Sequence, residues 1–163
     1  MNTKSYLPKP LDGYCFACGP TNPSGLRMEF YVEEDCLYSE SFIREEHQGW
    51  MDIAHGGIVS TILDETMSWA VLYFKRNFIV TKSMEITFVR PLKVKRGYLC
   101  RARVLPTEDP KEVKSQAVIL SGEGKIMARS LGRFRLLTVE EMKRISPRDL
   151  KRMEAWFALL SKD

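Results

Sequence analysis

The chain has 163 residues, of which 44% are hydrophobic and 28% charged, and its formal net charge is +4 at pH 7. This length and composition fit one globular domain with a hydrophobic core and exclude a disordered chain. The apolar runs are shorter than the roughly 20 residues that span a bilayer, and Met1–Pro10 lacks the apolar centre of a signal peptide. We therefore expect a cytoplasmic protein that does not bind membranes. The basic residues are scattered, which argues against nucleic-acid binding.

Residues 1–25 are rich in Pro, Gly and Asn and predict an irregular segment ahead of the main domain. The segment contains Cys15 and Cys18 in a CxxC pattern, but no second CxxC or CxxH completes a set of four zinc ligands. The pattern favours a tight turn with free thiols, with a metal or redox role as the alternative. We expect neither a bound metal nor a cofactor.

Alternating apolar and polar residues predict six strands, with one long helix between the second and the third. The strands are expected at about 26–33, 37–44, 80–89, 98–105, 113–121 and 126–137, and the helix at about 56–76. A loop, 45–54, leads into the helix, which Asn77 could end in a left-handed cap. On the third strand, one face is expected to carry Val80, Met84, Ile86 and Phe88.

The sixth strand places three small residues on one face, Ala128, Ser130 and Gly132. Small side chains let another element approach closely, and the long helix is the obvious candidate. Thr138 and Glu141 then form a capping-box pattern, which predicts that residues 138–163 are a helical extension. The main domain is accordingly expected at residues 26–137.

The long helix is apolar around most of its circumference between Ile58 and Phe74. Such a helix has to be surrounded by protein. One helix enclosed by about six strands predicts an α+β fold in which a curved antiparallel sheet wraps the helix.

The polar residues of this helix are concentrated on one side. Ser60, Thr61, Asp64, Glu65 and Ser68 fall within an arc of about 140°, with Asp64 one turn from a serine on either side. A carboxylate on a largely buried helix is costly unless it is paired or functional. An ion pair with Arg or Lys and a catalytic role are both open from the helix alone.

The helix begins with Gly56 and Gly57, directly after His55. Glycines leave the unpaired amides of the first turn open to a ligand, and the helix dipole adds positive potential there. Backbone N–H groups in this position can stabilise the oxyanion of a tetrahedral intermediate. A flexible helix entry is the alternative reading of the same three residues.

Asp64 lies nine residues after His55, which corresponds to about 11–14 Å along the helix axis. The amides and the carboxylate of one helix therefore cannot act on the same carbonyl carbon. They can act together only if Asp64 comes from a second subunit whose helix runs antiparallel alongside. A catalytic role thus predicts a two-fold dimer with composite sites.

The order and spacing of several motifs resemble the PaaI-like group of hotdog-fold acyl-CoA thioesterases, especially a branch that begins with CxxCG…NPxGL. The matching segments, over about residues 13–137, are Cys15–Gly19, Asn22–Leu26, His47–Trp50, His55–Gly57 with Asp64, Arg90–Leu92 and Ala128–Phe134. The resemblance implies a hotdog fold and a homodimer joined sheet edge to sheet edge, with a dimer of dimers as an alternative.

The resemblance also implies the chemistry, hydrolysis of an acyl-CoA to a carboxylic acid and CoA without a cofactor. Asp64 acts as general base or nucleophile, while Gly56 and Gly57 supply oxyanion N–H groups. His55 helps to shape the site, and Gln48 is the candidate for orienting the water.

Some residues depart from the family pattern or extend it. Glu65 directly follows Asp64 and could be the working carboxylate, or could tune Asp64 by repulsion. Trp50-Met51-Asp52 replaces the smaller residues expected in the loop, which leaves the acyl preference open. The substrate-binding candidates are Ser60 and Ser68 beside Asp64, and, for the CoA phosphates, Lys93, Lys95 and Arg96.

Three other functions compete with hydrolysis. A protein of the same fold could bind or sense acyl-CoA without turning it over. A hotdog dehydratase would use His55 with a carboxylate as acid and base. A zinc-binding interaction module would be built on Cys15 and Cys18.

Overall fold

The computed structural model describes residues 4–9 and 12–160. The outer ends of the predicted N-terminal segment and C-terminal extension, residues 1–3 and 161–163, lie outside the described residues, as do residues 10 and 11. The elements in chain order are β1 (Glu29–Glu33), β2 (Cys36–Ile43), a 3₁₀ turn (Glu45–His47), β3 (Gln48–Trp50), β4 (Ile53–Ala54), α1 (Gly56–Lys75), β5 (Phe78–Phe88), β6 (Arg96–Leu105), β7 (Glu112–Leu120), β8 (Ile126–Leu137), α2 (Val139–Ile145) and α3 (Pro147–Leu160).

Six strands form one antiparallel sheet in the order β1-β2-β6-β7-β8-β5, and β3 pairs with β4 in a separate two-stranded hairpin. The sheet contacts α1 through β2, β5, β6, β7 and β8. The predicted α+β architecture, a long central helix against a six-stranded antiparallel sheet, is confirmed. Within the described ranges, no helix is long and apolar enough to cross a bilayer.

The core is centred on α1, as its apolar pattern predicts. Ile62, Leu63, Met67 and Val71 have no exposed surface. Burial of each such side chain contributes about 1.5–3 kcal/mol to the free energy of unfolding. The one fully buried polar side chain among the described α1 residues is Thr66, whose hydroxyl lies 2.9 Å from the Ser39 hydroxyl and donates to the Ile62 carbonyl.

The face of small residues on β8 lies against α1. Ala128 and Ser130 are buried, and a Cβ placed on Gly132 would lie 3.0 Å from Cε of Met67 and 2.8 Å from Cε2 of Phe134. The predicted close approach between this strand and the helix is confirmed.

A β-bulge changes which residues of β5 face the helix. In the pairing with β8, Thr81 lies opposite Phe134 and Ser83 opposite Arg133, so Lys82 is the extra residue. After the bulge, Met84 and Ile86 pack on the core as predicted. Before it the alternation is inverted, so that Ile79 packs on the core and Val80 is 39% exposed. The prediction that Val80 shares a face with Met84 was wrong.

Two local predictions also need correction. Arg76, not Asn77, is the left-handed residue that ends α1, with φ 49° and its N–H bonded to the Leu72 carbonyl. The stretch 45–54, predicted as a loop, contains the 3₁₀ turn and the β3–β4 hairpin. A strand of two or three residues carries too little alternation to be recognised from sequence.

The C-terminal extension is helical, as predicted, and begins with a capping box between Thr138 and Glu141. Trp156 of α3 is buried, its ring packs edge-on against Trp69 of α1, and its indole N–H donates to the Pro8 carbonyl. The extension therefore covers the part of α1 that lies beside the N-terminal segment.

We predict that Gly132→Val lowers the free energy of unfolding by about 1–3 kcal/mol, because the added side chain is forced into Met67 and Phe134. Urea unfolding monitored by circular dichroism measures the change. Gly97→Val is the matched control on β6, where a Cβ meets no atom within 4 Å. Equal midpoints for the two variants would contradict the close approach.

Candidate functional site

The start of α1 is organised by the side chain of His55. Its Nδ1 accepts a hydrogen bond of 2.9 Å from the N–H of Gly57, and its carbonyl accepts from Ile58 and Val59. In the described part of the chain, the N–H of Gly56 has no hydrogen-bond partner. The two predicted oxyanion donors thus differ, because the amide of Gly57 is engaged by the cap while that of Gly56 is open.

The β3–β4 hairpin packs directly on His55. A Cβ on Gly49 would lie 3.1 Å from the Cα of His55, and the N–H of His55 donates to the carbonyl of His47. Gln48 pairs with Ala54, and its Oε1 accepts from the N–H of Asp52 at 3.4 Å. The predicted water-orienting Gln48 thus lies opposite Ala54, the residue before the helix cap, and its side-chain amide oxygen is bonded within the hairpin.

Asp64 lies on the side of α1 that faces β5. The hydroxyl of Thr81 donates to its Oδ1 at 2.9 Å, and partial burial raises the pKa of this carboxyl group. Ser60 lies one turn before it, but its hydroxyl donates to the carbonyl of Gly56. Ser68, one turn after it, is partly buried. Thr81 is the site residue that sequence reasoning missed, because the bulge at Lys82 brings it to the helix side.

Glu65 has a separate environment, although it is the next residue. Its Oε1 accepts from the indole N–H of Trp69 at 2.9 Å and from the thiol of Cys15 at 3.8 Å. Burial raises the pKa of Glu65 to about 7. The N-terminal turn, not β5, surrounds this carboxyl group. The two adjacent carboxylates of the predicted site therefore belong to different clusters.

The two parts of the predicted site lie at opposite ends of the β5 edge. A Cβ on Gly56 would lie 3.7 Å from the ring of Phe88, whereas Asp64 is bonded to Thr81. Gly56 and Asp64 are eight residues apart on α1, which corresponds to about 12 Å. β5 is one of the two edge strands of the sheet, so both parts border a strand edge that has no neighbour within the described residues.

Exposed apolar side chains occur at the tip of the β3–β4 hairpin and at the end of β5 beside Gly56. Trp50 and Met51, at the tip of the hairpin, are 82% and 87% exposed, and Phe88 of β5 is 56% exposed. Exposed patches of large apolar side chains are typical of surfaces that bind a ligand or a partner.

The predicted CoA-binding cations lie on or next to the segment 92–94, which is bonded to the same hairpin. The N–H of Ala54 donates to the carbonyl of Leu92, and that of Val94 donates to the carbonyl of Asp52, which fixes the segment beside the helix start. The cationic side chains in and just after this segment are exposed; they are Lys93, Lys95 and Arg96. One of them, Lys95, forms an ion pair with Glu45 at 2.9 Å.

The Asn22–Leu26 motif forms a turn that hydrogen bonds hold to the rest of the chain. Oδ1 of Asn22 accepts from the N–H of Ser24, and the N–H of Leu26 donates to the carbonyl of Phe16. The guanidinium group of Arg44 donates to the carbonyl of Gly25, which ties this turn to the end of β2.

Comparison with known proteins identifies the fold. Residues 51–109 match the family model described as the thioesterase superfamily. The fold is that of a crystallised thioesterase superfamily protein, with 15% identity and a TM-score of 0.69, over 75% of this chain and 60% of the other. The chain has the hotdog fold of the thioesterase superfamily. The expected hotdog fold is confirmed, and solved structures of thioesterase superfamily and PaaI-related proteins share it.

Two further solved structures share the fold. Zebra fish thioesterase superfamily member 2 has 20% identity and a TM-score of 0.63, over 74% of this chain and 90% of its own. The PaaI protein from the phenylacetic acid degradation operon of E. coli has 16% identity and a TM-score of 0.62, over 69% and 81%. No curated protein matches the sequence.

The buried side of the helix cap contains His47, which is bonded to His55. It is 5% exposed, its Nδ1 accepts from the N–H of Arg44 at 3.2 Å, and its carbonyl holds His55. Burial, together with the charge of Arg44, lowers the pKa of His47 from its usual 6.5. Below about pH 6.5, the unfolded chain therefore binds a proton at this residue that the folded chain does not, and stability decreases as the pH falls.

The native protein should lose stability as the pH falls from about 7 to 5, and we predict that His47→Gln loses less. One proton changes the free energy of unfolding by at most about 1.4 kcal/mol per pH unit, which limits the difference between the two proteins. Urea unfolding of both proteins across this range measures the difference. Above about pH 7.5 the difference between the two proteins should no longer change with pH. Parallel curves over the whole range would show that His47 titrates alike in both states.

Proposed function

We propose that this protein hydrolyses an acyl-CoA thioester to a carboxylic acid and free CoA. The observation that carries the proposal is that one helix presents both a partly buried Asp64, bonded to Thr81, and an open amide at Gly56. A thioester carbonyl needs both groups, a base or nucleophile for attack and a donor for the developing oxyanion.

Asp64 would start the reaction in one of two ways. It takes a proton from a water molecule that attacks the carbonyl carbon, or its carboxylate attacks that carbon directly and water then cleaves the anhydride. In both, the C–S bond breaks and CoA leaves as the thiolate. The hydrogen bond from Thr81 fixes the carboxylate, while its second oxygen remains available for the reaction.

The N–H of Gly56 is our assignment for the oxyanion donor. The helix dipole strengthens this donor, and no side chain at Gly56 restricts the approach of a carbonyl oxygen. The amide of Gly57 has a supporting role, because its hydrogen bond holds the imidazole of His55 at the edge of the site.

We also infer that the active form is a two-fold dimer joined along β5. The separation of about 12 Å prevents one chain from completing a site. Antiparallel pairing of two β5 strands near Met84 and Glu85 would bring the Thr81 end of one copy against the Phe88 end of the other. Asp64 of one copy would then approach Gly56 of the other, and the strand edges would be paired rather than left open.

The surroundings of the Gly56 end support an acyl-CoA as the substrate. Trp50, Met51 and Phe88 offer an apolar environment for the acyl group. Lys93 and Lys95 lie on the segment next to the helix start, where they could pair with the phosphates of CoA. An acyl-CoA is apolar at its acyl end and anionic at its phosphates, so it could use both kinds of side chain.

We predict that Asp64→Asn lowers kcat by about 10²–10⁴-fold on every acyl-CoA that the native protein hydrolyses, because the amide can neither accept the proton nor attack. Thiol release from a panel of short, long and aromatic acyl-CoAs measures the rate. Asp35→Asn, the same change on the remote β1–β2 turn, should keep native activity. Equal rates for Asp64→Asn and the native protein would reject Asp64, and tight acyl-CoA binding without thiol release would favour a binding protein instead.

We predict that two inactive variants restore activity when they are mixed. Gly56→Leu obstructs the donor, and its Cβ is in ordinary contact with Phe88, so the fold tolerates the change. Unfolded and refolded together with Asp64→Asn, it forms heterodimers in which one of the two sites is intact. Random assembly then gives about a quarter of native activity. No recovery in dimers that sedimentation shows to be mixed, or native activity in a monomer, would contradict a composite site.

A further inference from the structure

A second cluster of reactive side chains lies between the N-terminal turn and α1, away from the β5 edge. The sulfur atoms of Cys15 and Cys18 and a carboxylate oxygen of Glu65 all lie within 4.8 Å of one another. The thiol of Cys15 is 3.8 Å from Oε1 of Glu65, close to the spacing between ligand atoms around a tetrahedral metal ion. Two thiolates and a carboxylate are ligands that zinc accepts.

The two cysteines are held in a tight turn. The N–H of Gly19 donates to the carbonyl of Cys15, and the N–H of Thr21 donates to that of Gly13. A Cβ on Gly19 would lie 2.4 Å from the nitrogen of Cys15, so a larger residue cannot occupy this position without moving the turn. The turn is joined to the core by the hydrogen bond from Met28 to the carbonyl of Ala17.

Glu65 is held independently of the cysteines. The indole of Trp69 donates to its Oε1 and orients the carboxylate, as groups next to a metal ligand commonly do. No described Lys or Arg side chain forms an ion pair with Glu65; Arg152, the nearby cation on α3, pairs with Asp12. A partly buried carboxylate beside two sulfur atoms, without a cation, is costly. A bound cation removes that cost.

We propose that Cys15, Cys18 and Glu65 bind one zinc ion. Its fourth position opens to the cleft between the cysteine turn and α3, which Trp69, Met153 and Trp156 line and through which the ion can enter. A dithiol that only formed a disulfide would leave the position of Glu65 unexplained. The ion fastens the N-terminal segment to α1 about 100° around the helix from Asp64, so its binding does not depend on the thioesterase proposal.

Titration of the reduced, metal-free protein with Co²⁺ tests the site. Binding is expected to produce a thiolate-to-cobalt charge-transfer band that saturates at about one ion per chain, and Zn²⁺ should displace it. Cys15→Ser, Cys18→Ser and Glu65→Gln should each weaken binding by about tenfold or more. Cys36→Ser, at a thiol outside the cluster, should bind as the native protein does.

Thiol protection gives a second measurement that needs no variant. Zn²⁺ should slow alkylation of Cys15 and Cys18 in the native protein, as measured by mass spectrometry of peptides, and leave Cys36 unaffected. The proposal is overturned if the reduced protein gives no charge-transfer band, or if zinc protects neither cysteine of the turn. Native affinity in Glu65→Gln overturns the assignment of the third ligand.

Discussion

Because α1 presents apolar side chains around most of its circumference, the fold has to cover it on nearly every side. The sheet encloses one side, and the small residues of β8 allow the backbone of that strand to come close. The N-terminal turn and α3 cover the side near Trp69. The side of α1 that carries Asp64 faces the open β5 edge and is only partly covered, so the packing that builds the core leaves Asp64 partly exposed.

The same requirement gives two neighbouring carboxylates different surroundings. Asp64 and Glu65 are about 100° apart on the helix, which is enough to direct one towards β5 and the other towards the cysteine turn. Burial raises both pKa values, yet Asp64 has a hydroxyl partner at an open edge and Glu65 has an indole and two sulfur atoms. Sequence adjacency made them look like alternatives for one role, whereas the structure separates them.

The helix, the six main strands and the small face of β8 could be predicted from the sequence, because each depends on a periodicity that several residues repeat. The bulge at Lys82 could not, because Val80 and Thr81 suit either face of a strand. For the same reason Thr81 escaped notice as the partner of Asp64. The contact between Cys15 and Glu65 spans 50 residues, and neither local pattern nor spacing encodes it.

Trp156 and Pro8 are 148 residues apart, yet one hydrogen bond joins them over the cysteine turn. Closing so long a stretch of chain costs conformational entropy that the contact alone does not offset. During synthesis, α1 and the first strands emerge long before α3 does, so a partly made chain holds Trp69 and the turn without their cover. The apolar surface around Trp69 is therefore covered only when α3 has been made and Trp156 can pack against it.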